Sequence, residues 1–130
     1  MKSGHVSADP KALMMQAARQ QVGLGSSVVL DGLAREDEIA AVRHFARECD
    51  VVSVVTLLRC DDLDLQRARI EQRSRSIPGW HELKWEDVAR TRSRWSEPTD
   101  VDLILDSTET VADLIDAIMR RVQSGSSTAR

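Results

Sequence analysis

The sequence predicts an α/β fold: a three-layer sandwich with a short parallel sheet of about three strands and a lid-like insert rich in arginine and tryptophan. Apolar runs alternate along the chain with helical patterns, as they do where strands and crossover helices follow one another. The apolar residues are nearly all aliphatic, with 1 Phe and no Tyr, which suits a sheet covered by helices. One run, Val51 to Leu58, is nearly continuous and rich in β-branched residues, as a strand buried on both faces requires. At 130 residues the chain is expected to form one domain, and a domain of that size buries ~65% of its unfolded surface.

Ser7-Ala8-Asp9-Pro10 offers a cap and a proline for a first helix over about 10–22, carrying Leu13, Met14, Ala17, Ala18 and Val22 at helical spacing. Gly23 and Gly25 close it, and Ser27 to Leu30 reads as the first strand, running into Asp31-Gly32. From Arg35, a second helix sets Ile39, Val42, Phe45 and Ala46 against a charged face. Val51 to Leu58 is the second strand, and Asp61-Asp62 caps a third helix with Leu63, Leu65, Ala68 and Ile70. Residues 74–97 lose periodicity apart from a short helix from Trp85 to Arg94, and form the insert. Val101 to Leu105 returns as a strand, and Ser107 or Thr108 caps a last helix with Val111, Leu114, Ile115, Ile118 and Met119. The domain is expected to end near residue 123, leaving 124–130 as a disordered tail.

Composition excludes several partners. A net charge of −3 without a Lys/Arg run argues against nucleic acid or a membrane surface. Val51 to Leu58 is far short of the ~20 apolar residues of a membrane span. No signal-peptide pattern opens the chain, so a cytoplasmic location is expected. Cys49 and Cys60 lack metal-knuckle spacing and read as small buried hydrophobes. His5, His44 and His81 have no ligand or catalytic spacing.

Two stretches can carry chemistry. In Val28 to Arg35, an apolar run delivers Asp31 to its C-terminal end, followed by Gly32 and then Arg35, and in parallel sheets that end is where ligands bind. There Asp31 can hold the hydration shell of Mg²⁺ or accept a proton, and Arg35 can grip phosphate oxygens. The plainer reading is that Asp31 caps a turn and Arg35 lies on the surface. The second stretch is the insert with its approaches, carrying Arg67, Arg69, Arg73 and Arg75 on the way out and Arg90, Arg92 and Arg94 on the way back. Such a flap can surround a migrating phosphoryl group with cations, although charges of this kind also make a solvated face balanced by Glu71, Glu82, Glu86 and Asp87. All 3 tryptophans, Trp80, Trp85 and Trp95, fall within the insert. They serve either to anchor it or to stack on a base.

With these residues placed, the chain from about Gly25 to Val122 resembles the P-loop kinase group that includes adenylate kinases and small AAA-type kinases. Val28 to Arg35 is similar to that group's strand ending in Asp-Gly with a phosphate-gripping arginine. Leu57 to Arg73 is similar to the strand and helix leading into the lid. Ile77-Pro78-Gly79-Trp80-His81-Glu82 and Trp85 to Trp95 resemble the lid insert, and Val101 to Asp106 the last strand. The group's defining loop, ending in Gly-Lys-Ser/Thr, has no counterpart here, since Lys2-Ser3 has neither strand nor glycines before it.

The resemblance therefore implies a truncated kinase-like domain, not competent in phosphoryl transfer alone. No cofactor is expected for the isolated chain. If a phosphate loop is supplied from elsewhere, ATP and Mg²⁺ are implied, with Asp31 as base or indirect Mg²⁺ residue. Arg35, Arg67, Arg69, Arg73 and Arg75 would then hold phosphate, with Trp80, Trp85, Arg90, Arg92 and Trp95 in the lid. The alternatives are a non-enzymatic interaction or oligomerisation module on the same scaffold, or an active small-molecule or nucleotide kinase whose start codon lies further upstream. In the group, the missing first strand lies between the equivalents of Val28 to Asp31 and Val51 to Leu58. Its loss leaves unpaired strand edges. The expected remedy is closure into a three-stranded sheet, with a homodimer or a strand-donating partner as the other solution.

Overall fold

The computed structural model describes residues 9–32 and 35–127. The cap offered by Ser7-Ala8, the coincidence at Lys2-Ser3, His5, Leu33-Ala34 of the Asp-Gly motif and the last three tail residues lie outside them.

Among the described residues, five helices and two strands follow in the order α1 (Pro10–Gly23), α2 (Glu36–Glu48), β1 (Thr56–Arg59), α3 (Leu63–Glu71), α4 (Trp85–Arg94), β2 (Leu103–Asp106) and α5 (Val111–Ser127). β1 and β2 pair in parallel, with Thr56 opposite Leu103 and Arg59 opposite Asp106. The α/β class is thus observed. Among the described residues, the sheet has two strands rather than three.

Asp9 starts α1 by accepting a hydrogen bond from the Lys11 amide at 3.0 Å, with Pro10 in the first turn where its missing N–H costs nothing. Gly25, at φ +82°, turns the chain out of the helix. Three contacts tie α1 to α2: an ion pair of Lys11 with Glu38, a bond from Arg19 to Glu48 at 3.1 Å, and the Arg19 guanidinium 5.1 Å from the Phe45 ring centre. Ala18, Ile39, Phe45 and Ala46 form the apolar core.

The expected strand over Ser27 to Leu30 does not form. Among the described residues, the backbone of Ser27 to Asp31 makes no hydrogen bond, and Val29 is 93% exposed. A run of valines supplies strand propensity but no neighbour to bond with, and β1 gives one edge to β2 without meeting this segment. The expected closure into three strands is therefore not observed.

The second expected strand is shorter than its apolar run, and Asp102 explains why. The Val55 carbonyl accepts from the Asp102 and Leu103 amides at 2.8 and 3.2 Å, but the Val55 amide donates to the Asp102 carboxylate at 2.8 Å. A side chain thus takes the bond that would extend the ladder beyond Thr56.

α3 is capped by Asp62, which accepts from the Leu65 amide at 2.9 Å. α4 follows the predicted bounds. α5 is capped not by Ser107 or Thr108 but by Thr110, whose hydroxyl accepts from the Asp113 amide at 3.2 Å. Asp106 instead takes the Thr108 amide at 2.8 Å, so the preceding residues form a turn. α5 continues to Ser127, through residues the composition assigned to a tail. Gly125 permits this: a Cβ there would lie 3.0 Å from Val52 Cγ1, so the helix end packs closely on the Val52 side chain. No helix among the described residues is long and apolar enough to cross a membrane.

Candidate functional site

A charged cleft of about 610 Å³ lies between the start of α2 and the C-terminal half of α4. Arg35, Glu36 and Asp37 line one side, with Arg90, Thr91, Arg94, Trp95 and Ser96 on the other. Arg35 stands just before α2, where Glu38 accepts its backbone N–H at 3.0 Å. The free amides of a helix start favour negative charge. Arg90 and Arg94 lie one turn apart on α4 and so share a face. Among the described residues none of these three arginines forms an ion pair, and Arg90 lends only a longer-range attraction to Asp87.

Glu36 is already engaged. Thr99 donates to it from both backbone and hydroxyl, the hydroxyl at 2.8 Å, and the Thr99 amide above all holds its carboxyl below the usual glutamate range. With Asp37 the lining holds two carboxylates, which the three guanidinium groups outnumber by one. Trp95 contributes an indole whose Nε1–H is buried without a hydrogen-bond partner, a donor of the kind that folded proteins seldom leave unsatisfied.

The other predicted phosphate contacts are dispersed. Arg67 is bound to Glu71 at 2.7 Å and Arg69 reaches the Ser107 hydroxyl and carbonyl at 3.3 and 3.4 Å. Arg92 bonds Gln66 at 3.0 Å, linking α4 to α3. Arg75 lies 5.7 Å from the Trp80 ring centre, while its amide and that of Ser76 donate to Glu82 at 2.9 and 3.1 Å. Trp80 thus helps the loop fold on itself, with Gly79 at φ +75° making the turn. Arg73 and Trp85 line a second, smaller cavity of about 390 Å³ with Ile70 and Leu83. Asp31 is exposed and lines neither cavity. Among the described residues no cluster of three or more His, Cys, Asp or Glu side chains has metal-binding geometry. Cys49 and Cys60 are free thiols, half-buried rather than fully enclosed.

The sequence reading missed one organising residue, Asp102. Its carboxylate accepts from Arg121 at 2.8 Å and from the Val55 amide at 2.8 Å, and pairs with Arg43 at 2.8 Å. Arg43 also reaches the Ser53 carbonyl at 3.3 Å and Asp100 at 3.2 Å. One carboxylate, 11% exposed, therefore clasps α2, the segment before β1, the approach to β2 and α5. Burial pushes its acidity down, but the Val55 amide, Arg43 and Arg121 outweigh burial and hold the carboxyl below the usual aspartate range. The available signal was a carboxylate set between Val101 and Leu103 in an apolar run, where charge is seldom left without partners.

The cleft can hold an anion, but it presents no activated nucleophile paired with a base. No family model, curated protein or solved structure matches the chain.

Proposed function

We propose that the chain is a kinase-like scaffold element that grips phosphate groups in the Arg35, Arg90 and Arg94 cleft but does not transfer phosphoryl groups by itself. One observation carries this reading: an arginine that follows the apolar run ending in Asp31 and two arginines from the insert line a single cleft. Guanidinium forks bind phosphate bidentately, and Trp95 offers a flat face beside them. The amide-lined loop that cups the β- and γ-phosphates is missing from the sequence. Tight binding of ATP and Mg²⁺ is therefore not expected. Asp31 would serve as base or indirect Mg²⁺ residue only if another polypeptide supplied that loop.

Isothermal titration of the full chain tests this. Pyrophosphate is expected to bind weakly, and removing either guanidinium by Arg90→Ala or Arg94→Ala should weaken it by about tenfold, the loss of one charge-assisted contact. Because Trp95 lines the cleft, indole fluorescence should report the same titration. Micromolar affinity for MgATP would refute the account of the missing cup. Pyrophosphate binding unchanged in both variants would refute the cleft.

A further inference from the structure

A ladder uses alternate residues of a strand for each neighbour. The Val55 and Arg59 carbonyls point to β2, accepting from Leu103 and Ser107. The amides and carbonyls of Thr56 and Leu58 therefore face the other edge, where no backbone partner exists among the described residues. Leu58, on the strand itself, is an exposed apolar residue. An open apolar strand edge is a template for another strand.

The same chain carries what such an edge requires. Ser27 to Leu30 is a β-branched apolar segment with no backbone hydrogen bond among the described residues, set between Gly25 and Gly32. We propose that two copies of this chain pair reciprocally, the Ser27 to Leu30 segment of each adding as a strand to the free β1 edge of the other.

Surface area supports a second copy as the occupant. The whole chain, with its terminal residues outside the described ones included, exposes 10513 Å², whereas a compact monomer of this mass exposes about 6,900 Å². Among the described residues, four apolar side chains are buried while 16 large ones lie exposed, leaving apolar surface for a partner to cover. Obligate homodimers bury about 2,000–5,000 Å² in total, an amount that the excess can supply. A two-fold axis makes both strand additions at once and covers the free β1 edge of each copy. This inference is independent of the phosphate reading, because neither the segment nor the β1 edge lines the arginine cleft.

Light scattering on the eluting full chain at tens of micromolar is expected to give twice the mass of one chain. Adjacent amides face opposite edges, so whichever the register, one of Val28→Pro and Val29→Pro removes a ladder bond, and neither breaks a bond within its own chain, since those amides have none. That variant should shift the dimer equilibrium toward monomer by about tenfold or more with helix content unchanged by circular dichroism. If the proline variants lost helix, Val29→Lys would repeat the test with backbone angles unrestricted. A wild-type monomer, whether the Val29 amide exchanges freely or is protected by closure within one chain, would overturn the proposal. So would a dimer indifferent to all of these substitutions.

Discussion

Replacing Asp102 by asparagine keeps the shape of the side chain and removes its charge, which makes it the sharpest probe of what holds the two halves together. The carboxylate serves three donors at 2.8 Å, from Val55, Arg43 and Arg121. Their weights differ. Arg43, 17% exposed, loses its better-enclosed partner but keeps Asp100 and the Ser53 carbonyl. Arg121, 39% exposed, is screened by water, so its pair contributes at most about 0.5 kcal/mol. A charge-assisted bond to an enclosed group is worth about 1.5–3 kcal/mol, while the asparagine oxygen can still accept from the Val55 amide. Asp102→Asn should therefore destabilise the chain by about 2 kcal/mol, short of the full penalty for stranding a buried charge because Arg43 retains other partners.

Urea unfolding followed by circular dichroism, at one fixed protein concentration, measures the loss. A double-mutant cycle with Arg43→Gln should give a coupling of about 1.5 kcal/mol or more. The pH dependence has a definite sign. The folded carboxyl is more acidic than the unfolded one, so its contribution is complete above the ordinary aspartate value of about 3.9 and fades as pH falls through the lower folded value. The gap between wild type and variant should therefore be full at neutrality and narrow in acid. A coupling below about 0.5 kcal/mol, or a gap that widens in acid, would show that the clasp is ornamental.

Helix ends provide further tests. Asp50 sits at φ 53° just beyond α2, with the Val51 amide bonded back to the Ala46 carbonyl at 3.0 Å. Asp50→Gly should raise stability by about 0.5–1 kcal/mol, read from the shift in urea midpoint, and a loss would refute the left-handed strain argument. Thr110→Ala removes the cap of α5 and should cost about 1 kcal/mol in the same assay, whereas Thr108→Ala should cost less because that residue does not cap the helix.

Much of the local structure was legible in the sequence, because it is set by neighbours a few residues apart. The spacing of Leu13, Ala17 and Ala18 marked α1, Asp9-Pro10 its start, and Trp85 to Arg94 the helix of the insert. The β-branched run before Arg59 located β1, and Val101 to Leu105 located β2 to within a residue or two. The parallel α/β character followed from the same alternation, since strands separated by helices pair in parallel.

What needed the tertiary structure was every question of who meets whom. Valines at 28 and 29 look like those at 54 and 55, yet only the latter lead into a ladder, because pairing depends on a neighbour that no local pattern specifies. The seven arginines of the insert and its approaches were indistinguishable by composition. Folding commits Arg67 to Glu71 on its own helix and Arg69 and Arg92 to Ser107 and Gln66 on other elements, and leaves Arg90 and Arg94 lining one cleft with Arg35. Asp102 read as one charge in an apolar run, and became the clasp only when α2 and α5 brought Arg43 and Arg121 to it. Periodicity encodes which face of an element is apolar, while contacts between residues far apart in the chain are decided by packing in three dimensions.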